Sequence, residues 1–356
     1  MTLRVLTLSA SFALVTALGV AACSADGGGP GGNDNGGGND NGGGNDLGGD
    51  DVGIDGDGVG ADSDGIGADD GGGPTDTECG KTLIAVVRDF KASNNDGHPD
   101  FELSGRGVKN PDNTDFKGWN ESGCDLVLPA LGADRKPAFN GTPVSVAGRG
   151  DLVGYGGRWR TVQGPGCYTA ANPNPTGECF VGSCGAFPNY APPSPSIMSA
   201  VSFSDWYNTK DGVNKEIEIP LELPETAPGS GIRLYDTNAF FPIDGQGFGN
   251  TPGHAHNFHF TTEIHVKFKY EAGQKFSFRG DDDLWIFVNG KIALDVGGAH
   301  QALSGTIDFD AKAAELGITV GQDYNMDIFH AERQTTESNF RIETNISCFV
   351  PAPILK

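Results

Sequence analysis

Three consecutive carboxylates, Asp281, Asp282 and Asp283, stand between apolar runs in the stretch RGDDDLWIFVNG at 279–290. Two carboxylates a few ångströms apart repel by roughly 3 kcal/mol at the effective dielectric of a protein surface. Such a run is therefore either fully solvated or held by a countercharge. Calcium is one such holder, taking about six to eight oxygen ligands from carboxylates, amides, backbone carbonyls and water. Adjacent side chains of an extended chain point to opposite faces, so Asp281 and Asp282 reach one ion only through an unusual backbone, such as a cis peptide bond. Without an ion, the same residues read as a solvated turn whose carboxylates cap backbone amides.

Other reactive residues are less well placed. His254 and His256 have a strand-like spacing of two, whereas His259 and His265 lie six residues apart on one strand face, too far for one ion. Surface and turn packing is the expectation for these, and packing against the acidic turn for His300 and His330. No Ser/His/Asp arrangement, paired Glu or HExxH motif occurs with supporting context. Two adjacent Asp are a poor acid and nucleophile pair, which needs about 5 Å or more across a sugar ring. The chain is therefore expected not to be an enzyme.

Short β-like runs separated by Gly, Pro, Asn and Asp must position these residues. Strands are expected at 81–90 (KTLIAVVRDF), 259–270, 275–278, 285–288, 291–296, 306–309, 324–330 and 340–349, with one short helix at 311–316. Segment 259–270 sets Phe260, Thr262, Ile264, Val266, Phe268 and Tyr270 on one face and His265, Lys267 and Lys269 on the other. Asn289-Gly290 supplies the positive φ angles of a tight hairpin between 285–288 and 291–296. Both faces of that hairpin are apolar, so it belongs inside the sheet pair. The fold class is all-β, an antiparallel β-sandwich with long disulfide-pinned loops. Segment 140–195, rich in Gly, Pro and Cys, reads as such a loop region.

The 356 residues carry a formal charge of −23. Fourteen of the 47 acids but only one of the 24 basic residues, Arg4, lie in residues 1–78, leaving about −10 for residues 79–356. Phosphates need a basic face, so nucleic acid is not an expected partner. Residues 1–22 read as a signal peptide with an apolar run too short for a stable membrane span. Small residues just before Cys23 look like a bacterial lipobox, which makes Cys23 the lipidation site and the lipid the only membrane attachment. Ser24, where an Asp would favour inner-membrane retention, implies the outer membrane or cell surface. Residues 23–78, nearly all Gly, Asp and Asn, read as a disordered tether, and 79–356 as the folded domain. Six further cysteines, Cys79, Cys124, Cys167, Cys179, Cys184 and Cys348, allow three disulfides in an oxidising compartment. Cys79 with Cys348 is the preferred pair, because each flanks a strand at opposite ends of the domain.

RDF at 88–90, HPDFE at 98–102, WYN at 206–208, FFPIDGQGFG at 240–249, HNFHFTTEI at 256–264, GDDDLWIFVNGKIALDVGGAH at 280–300 and FHAERQTTESNFRIET at 329–344 together resemble the fibro-slime domain of exported bacterial and slime-mould proteins. From about Phe258 on, the chain also resembles the β-sandwich of protective-antigen-type domains, found in toxins, glycosidases and fungal adhesins. In those adhesins an Asp pair joined by a cis peptide holds a calcium ion that binds sugar hydroxyls. The resemblance implies Asp281 and Asp282 as calcium ligands, with Asp283 a less regular member and Glu337 and Asn339 as further oxygen donors. It implies a surface-anchored, calcium-dependent module that binds polysaccharide or glycoprotein glycans, with Trp206 or Trp285 as sugar platforms, although alternation puts Trp285 in the core. A structural slime or matrix protein, with calcium only stabilising the fold, is the alternative.

Overall fold

Strand β11 (Phe260–Lys269) buries Phe260, Ile264, Val266 and Phe268 on one face as expected of segment 259–270, but on the other only Lys267 and Lys269 are exposed, Thr261, Glu263 and His265 being buried as well. The computed structural model describes residues 79–354 apart from 94–95, 103–122, 142, 146–152, 156–157, 168–171, 173, 175, 185–196 and 336. The signal region, Cys23 and the tether lie outside the described residues. β11 belongs to a nine-stranded sheet ordered β4 (Pro137–Phe139), β3 (Val127–Leu131), β14 (Lys291–Val296), β13 (Asp283–Val288), β16 (Asp323–Glu332), β11, β1 (Thr82–Phe90) and β9 (Asn214–Glu222), with β18 (Val350–Pro351) also pairing β11. A second sheet of seven strands runs β10 (Arg233–Thr237), β17 (Phe340–Thr344), β12 (Lys275–Gly280), β15 (Leu303–Asp308), β8 (Phe180–Cys184), β7 (Arg158–Gln163) and β2 (Gly123–Cys124). Pairing is antiparallel except between β15 and β8. A separate ribbon joins β5 (Pro143–Ser145) to β6 (Val153–Tyr155).

The main core lies between the sheets, where Phe260, Ile264, Leu284 and Ile286 of the first meet Phe276, Phe278, Phe340 and Ile342 of the second. The first sheet is covered on its other face too. There Trp285 and Phe287 join Phe329 of β16 and the roofing residues Phe203, Trp206 and Tyr207. The central hairpin is thus buried on both faces, as its two apolar rows require. Each large side chain so buried stabilises the fold by about 1.5–3 kcal/mol. Asn289 and Gly290, at φ 53° and 74°, close it with the expected turn. Trp206 and Trp285 are both 0% exposed, so neither is a sugar platform. The roof owes its shape partly to α1 (Ala200–Ser204), whose N-cap Ser199 and Ser202 form a reciprocal capping box.

Several boundaries differ from the expectations. β12 continues to Gly280, β15 begins at Leu303, and β13 begins at Asp283, so the third acid is a strand residue. β16 runs two residues past the expected end, to Glu332, and the segment expected at 340–349 breaks after Thr344 and resumes as β18. The helix starts earlier, as α2 (Phe309–Leu316), with the Asp308 side chain accepting from Ala311 N and Gly317 closing it at φ 70°. β9 went unread because its sequence, NKEIEIPLE, mixes charges with Pro220; it forms an edge strand, where proline is tolerated. Segment 140–195 is not all loop, since it contributes β5 to β8. Cys79 pairs with Cys348, Cys124 with Cys184 and Cys167 with Cys179.

Candidate functional site

β12 leaves the second sheet at Gly280 and β13 enters the first at Asp283, so Asp281 and Asp282 make the crossing between sheets. The peptide bond between them is cis. Gly280 is required here: an added Cβ would stand 2.6 Å from Asn339 O and from the Phe278 ring. The crossing is buried, with Asp281, Asp282 and Asp283 only 3%, 4% and 0% exposed. The turn is therefore not solvated, and all six carboxylate oxygens accept hydrogen bonds from the protein. Asp281 accepts from Asn339 N at 2.6 Å and Asn339 Nδ2 at 2.8 Å. Asp282 accepts from His300 N at 3.1 Å and Arg333 N at 3.0 Å. Asp283 accepts from Gly298 N at 2.7 Å and from the Arg333 guanidinium Nε at 2.6 Å.

These bonds divide the acids by role. Asp283 is neutralised by Arg333, an ion pair in which both side chains are fully buried. Its carboxylate is turned to an arginine rather than shared with the other two, which separates it from the expected ligand set. Asp281 and Asp282 remain as an adjacent pair, with Asn339 bound to Asp281. Glu337 is exposed and touches the group only through Asn339 Nδ2, at 3.3 Å. His330 Nε2 meets Asp281 O at 2.8 Å, so His300 and His330 both pack against the crossing.

Burial pushes the Asp281 carboxyl up to about 6, against the opposing bonds from Asn339. Burial likewise drives Asp282 well above the carboxylate range, opposed mainly by Arg333. Glu332 behaves in the same way, raised by burial and then by the charges of Asp282 and Asp281. Glu332 is 1% exposed and its Oε2 has no hydrogen-bond partner. The nearby Ser338 hydroxyl spends its only proton on Phe240 O, at 2.7 Å. The sequence reading missed Glu332 by ending the strand at His330. Carried two residues further, the alternation through Ile328 and His330 puts Glu332 on the inner face, beside the acidic crossing.

The donor set fits a hard, oxygen-liganded cation. Each carboxylate oxygen of Asp281 and Asp282 has a second lone pair to offer, but Glu332, though buried and with an unsatisfied oxygen, does not complete a three-carboxylate group with them. Among the described residues no three His, Cys, Asp or Glu side chains form a group that could hold a metal. An ion here must therefore draw also on amide and backbone oxygens, which suits calcium and not zinc. The other histidines are dispersed. His256 Nδ1 meets Asp244 at 2.6 Å, His259 Nε2 meets Glu102 at 3.3 Å, His265 lies between Glu263 and Asp327, and His254 is exposed beside Phe258.

Fold and site together define a disulfide-bonded β-sandwich with an acidic crossing between its sheets. Residues 230–348 match the PA14 domain, beginning at β10, earlier than the protective-antigen resemblance expected. The chain is 40% identical over 158 residues to the protein psiD of Dictyostelium discoideum, covering 42% of this chain and 30% of psiD. It is 39% identical over 170 residues to psiQ of the same organism, covering 44% of this chain and 17% of psiQ. The chain thus spans less than a third of the length of these relatives. Among solved structures it is similar to the PA14 domain of the MpAFP antifreeze protein, at 14% identity and a TM-score of 0.19, over 24% of this chain and 42% of that one.

Proposed function

We propose that this chain is a non-catalytic, surface-anchored module that binds polysaccharide or glycoprotein glycans, with calcium at Asp281 and Asp282. The observation that carries the reading is the crossing itself: two adjacent buried carboxylates, Asp281 held by Asn339 and Asp282 by the His300 and Arg333 amides. The PA14 match over residues 230–348 supports it. Calcium, when bound, would supply positive charge and open coordination positions for sugar hydroxyls. The chain's own residues do the rest. Asn339 fixes Asp281, the His300 and Arg333 backbone amides fix Asp282, and Arg333 keeps Asp283 out of the pair. Cys23 would carry the lipid, and residues 23–78 would hold the domain away from the membrane at the outer surface.

A specific observation favours a second reading, a matrix protein in which calcium only staples the sheets: Asp281 and Asp282 are nearly inaccessible, leaving an ion little surface to share with a sugar. Calorimetric calcium titration of the full chain and of the Asp281→Ala, Asp282→Ala variant, followed by glycan binding with and without chelator, separates the two. Glycan binding weakened by chelator, and by the double variant to the same extent, is the expected result. A fall in melting temperature with chelator and no glycan signal favours the staple. Equal calcium binding by both chains removes the site from this crossing, and turnover of a polysaccharide overturns both readings.

A further inference from the structure

The second sheet carries a polar platform on the face turned away from the core. Phe276 and Phe278 of β12 point inward, so Ser277 and Arg279 point out, half-buried. Arg279 stands opposite Arg341 of β17 on one side and Ser304 of β15 on the other, and Ser304 stands opposite Phe180 of β8. One row thus crosses four strands, from two guanidiniums to an aromatic ring. In the neighbouring row Ser277 lies between Glu343 and Thr306. These side chains, with Glu178, line an open cleft of about 130 Å³.

Like charges directly opposite across a sheet destabilise it unless compensated. Arg341 is compensated: it pairs with Glu343 and lies 3.7 Å from Glu178. Arg279 pairs with no carboxylate among the described residues. Its Nη1 donates only to the amide oxygens of Asn238 and Asn339, at 3.3 and 3.4 Å, which leaves most of its five N–H donors open. Phe180 is 43% exposed, and its ring lies over Gly164, where an added Cβ would come within 3.1 Å of a ring carbon. An exposed ring, a guanidinium with donors to spare and a carboxylate acceptor meet in one small cleft.

Two guanidiniums and two carboxylates leave the lining without net charge, so it matches neither a polyanion nor a cation. It matches a molecule whose groups both donate and accept and which has an apolar face of its own. We propose that the cleft is a second saccharide subsite, taking one neutral pyranose ring of a polysaccharide: its C–H face on Phe180, its hydroxyls accepting from Arg279 and donating to Glu178. This rests on the reading of the chain as a glycan binder, and it makes part of the binding independent of calcium. Arg279 reaches Asn339, so the cleft adjoins the acidic crossing without sharing its carboxylates.

The test is binding of the full chain to immobilised dextran, mannan, galactan and polygalacturonate, in calcium and in chelator. The variants are Phe180→Ala, Arg279→Gln and the Asp281→Ala, Asp282→Ala double. Phe180→Ala and Arg279→Gln should each weaken binding to one of the neutral polymers about tenfold, at unchanged melting temperature and with or without calcium. Undiminished binding by both variants would overturn the cleft while leaving the glycan-binding reading in place. Binding confined to polygalacturonate and lost with added salt would overturn the neutral-sugar assignment. Failure of the unaltered chain to bind any of the polymers would overturn the cleft and the glycan-binding reading together.

Discussion

Asn339 grips the Asp281 carboxylate with two donors, its backbone N–H on Oδ1 at 2.6 Å and its side-chain amide on Oδ2 at 2.8 Å. The grip extends the ladder between β12 and β17 one step past its last register pair, Gly280 with Phe340, and so fastens the crossing to the second sheet. Asn339→Ala removes one of the two bonds to a buried carboxylate and should cost about 1.5–3 kcal/mol of stability. On the proposed reading of the crossing it should also weaken calcium binding. Calorimetric melting and calcium titration check both, and an unchanged melting temperature with unchanged affinity would remove Asn339 from the site.

Arg333 secures the other end of the acidic run. Its Nε lies 2.6 Å from Asp283 Oδ2, its guanidinium carbon lies 5.1 Å from the Trp206 ring centroid, and it is fully buried. Breaking a buried pair by removing one partner leaves an uncompensated charge. Arg333→Met should therefore destabilise the fold by about 3–5 kcal/mol, and adding Asp283→Asn should recover part of that loss. A double-mutant cycle in urea measures the coupling; strictly additive effects would show that the two residues do not act as a pair.

The hairpin at Asn289-Gly290 and its burial on both faces were legible because strand alternation and turn chemistry are local and redundant. Leu284, Ile286 and Val288 serve one core while Trp285 and Phe287 serve the other. The acidic run stood out for the same reason, being three charges between apolar runs. Glu332 was missed by ending its strand too early, and Arg333 was not singled out because it reaches Asp282 and Asp283 from just past that strand, some fifty positions away, an approach of which sequence spacing carries no signal. The roof over the first sheet was also hidden. His265 reads as lying on the polar side of β11 with Lys267 and Lys269, yet residues around Lys136 and Tyr207 cover it and the neighbouring Glu263.

That covered network gives a pH dependence with a definite sign. Glu263 meets Arg88 Nη1 at 2.6 Å, Lys136 Nζ at 2.9 Å and His265 Nε2 at 2.7 Å, while His265 Nδ1 meets Asp327 at 2.6 Å. Burial would raise Glu263, but the His265 bond and the charges of Arg88 and Lys136 outweigh it and hold the carboxyl at about 2, below its ordinary 4.5. Burial would lower His265, but its bonds to Asp327 and Glu263 raise it above the ordinary 6.5. The contribution of Glu263 is present above 4.5 and is lost as pH falls through about 2. That of His265 is complete below 6.5 and is lost as pH rises through its raised folded value. These two groups should therefore make urea midpoints decline on both sides of a mildly acidic plateau, on which the raised Asp281 superimposes its own loss as pH rises from 3.8 through about 6. His265→Gln should cost about 3 kcal/mol on that plateau and flatten the alkaline decline. An alkaline decline unchanged in this variant would assign it to another group.

The three disulfides should differ in worth according to the chain they close. Cys79 and Cys348 are 269 residues apart and tie the start of the domain to its end, next to the bridge between Gly80 and Phe349. Cys167 and Cys179 close a loop of only 12 residues. Constraint of the unfolded chain grows with the logarithm of loop length. On that basis the first bond is worth about 5 kcal/mol and the second about 3 kcal/mol. Replacing each pair with serine and measuring urea denaturation of the oxidised chain should reproduce that order, with the loss of Cys79–Cys348 the more damaging. The reverse order would mean that the short bond does more than restrict the unfolded chain. It would then be holding β8, and with it Phe180 beside the cleft, in the place the second sheet requires.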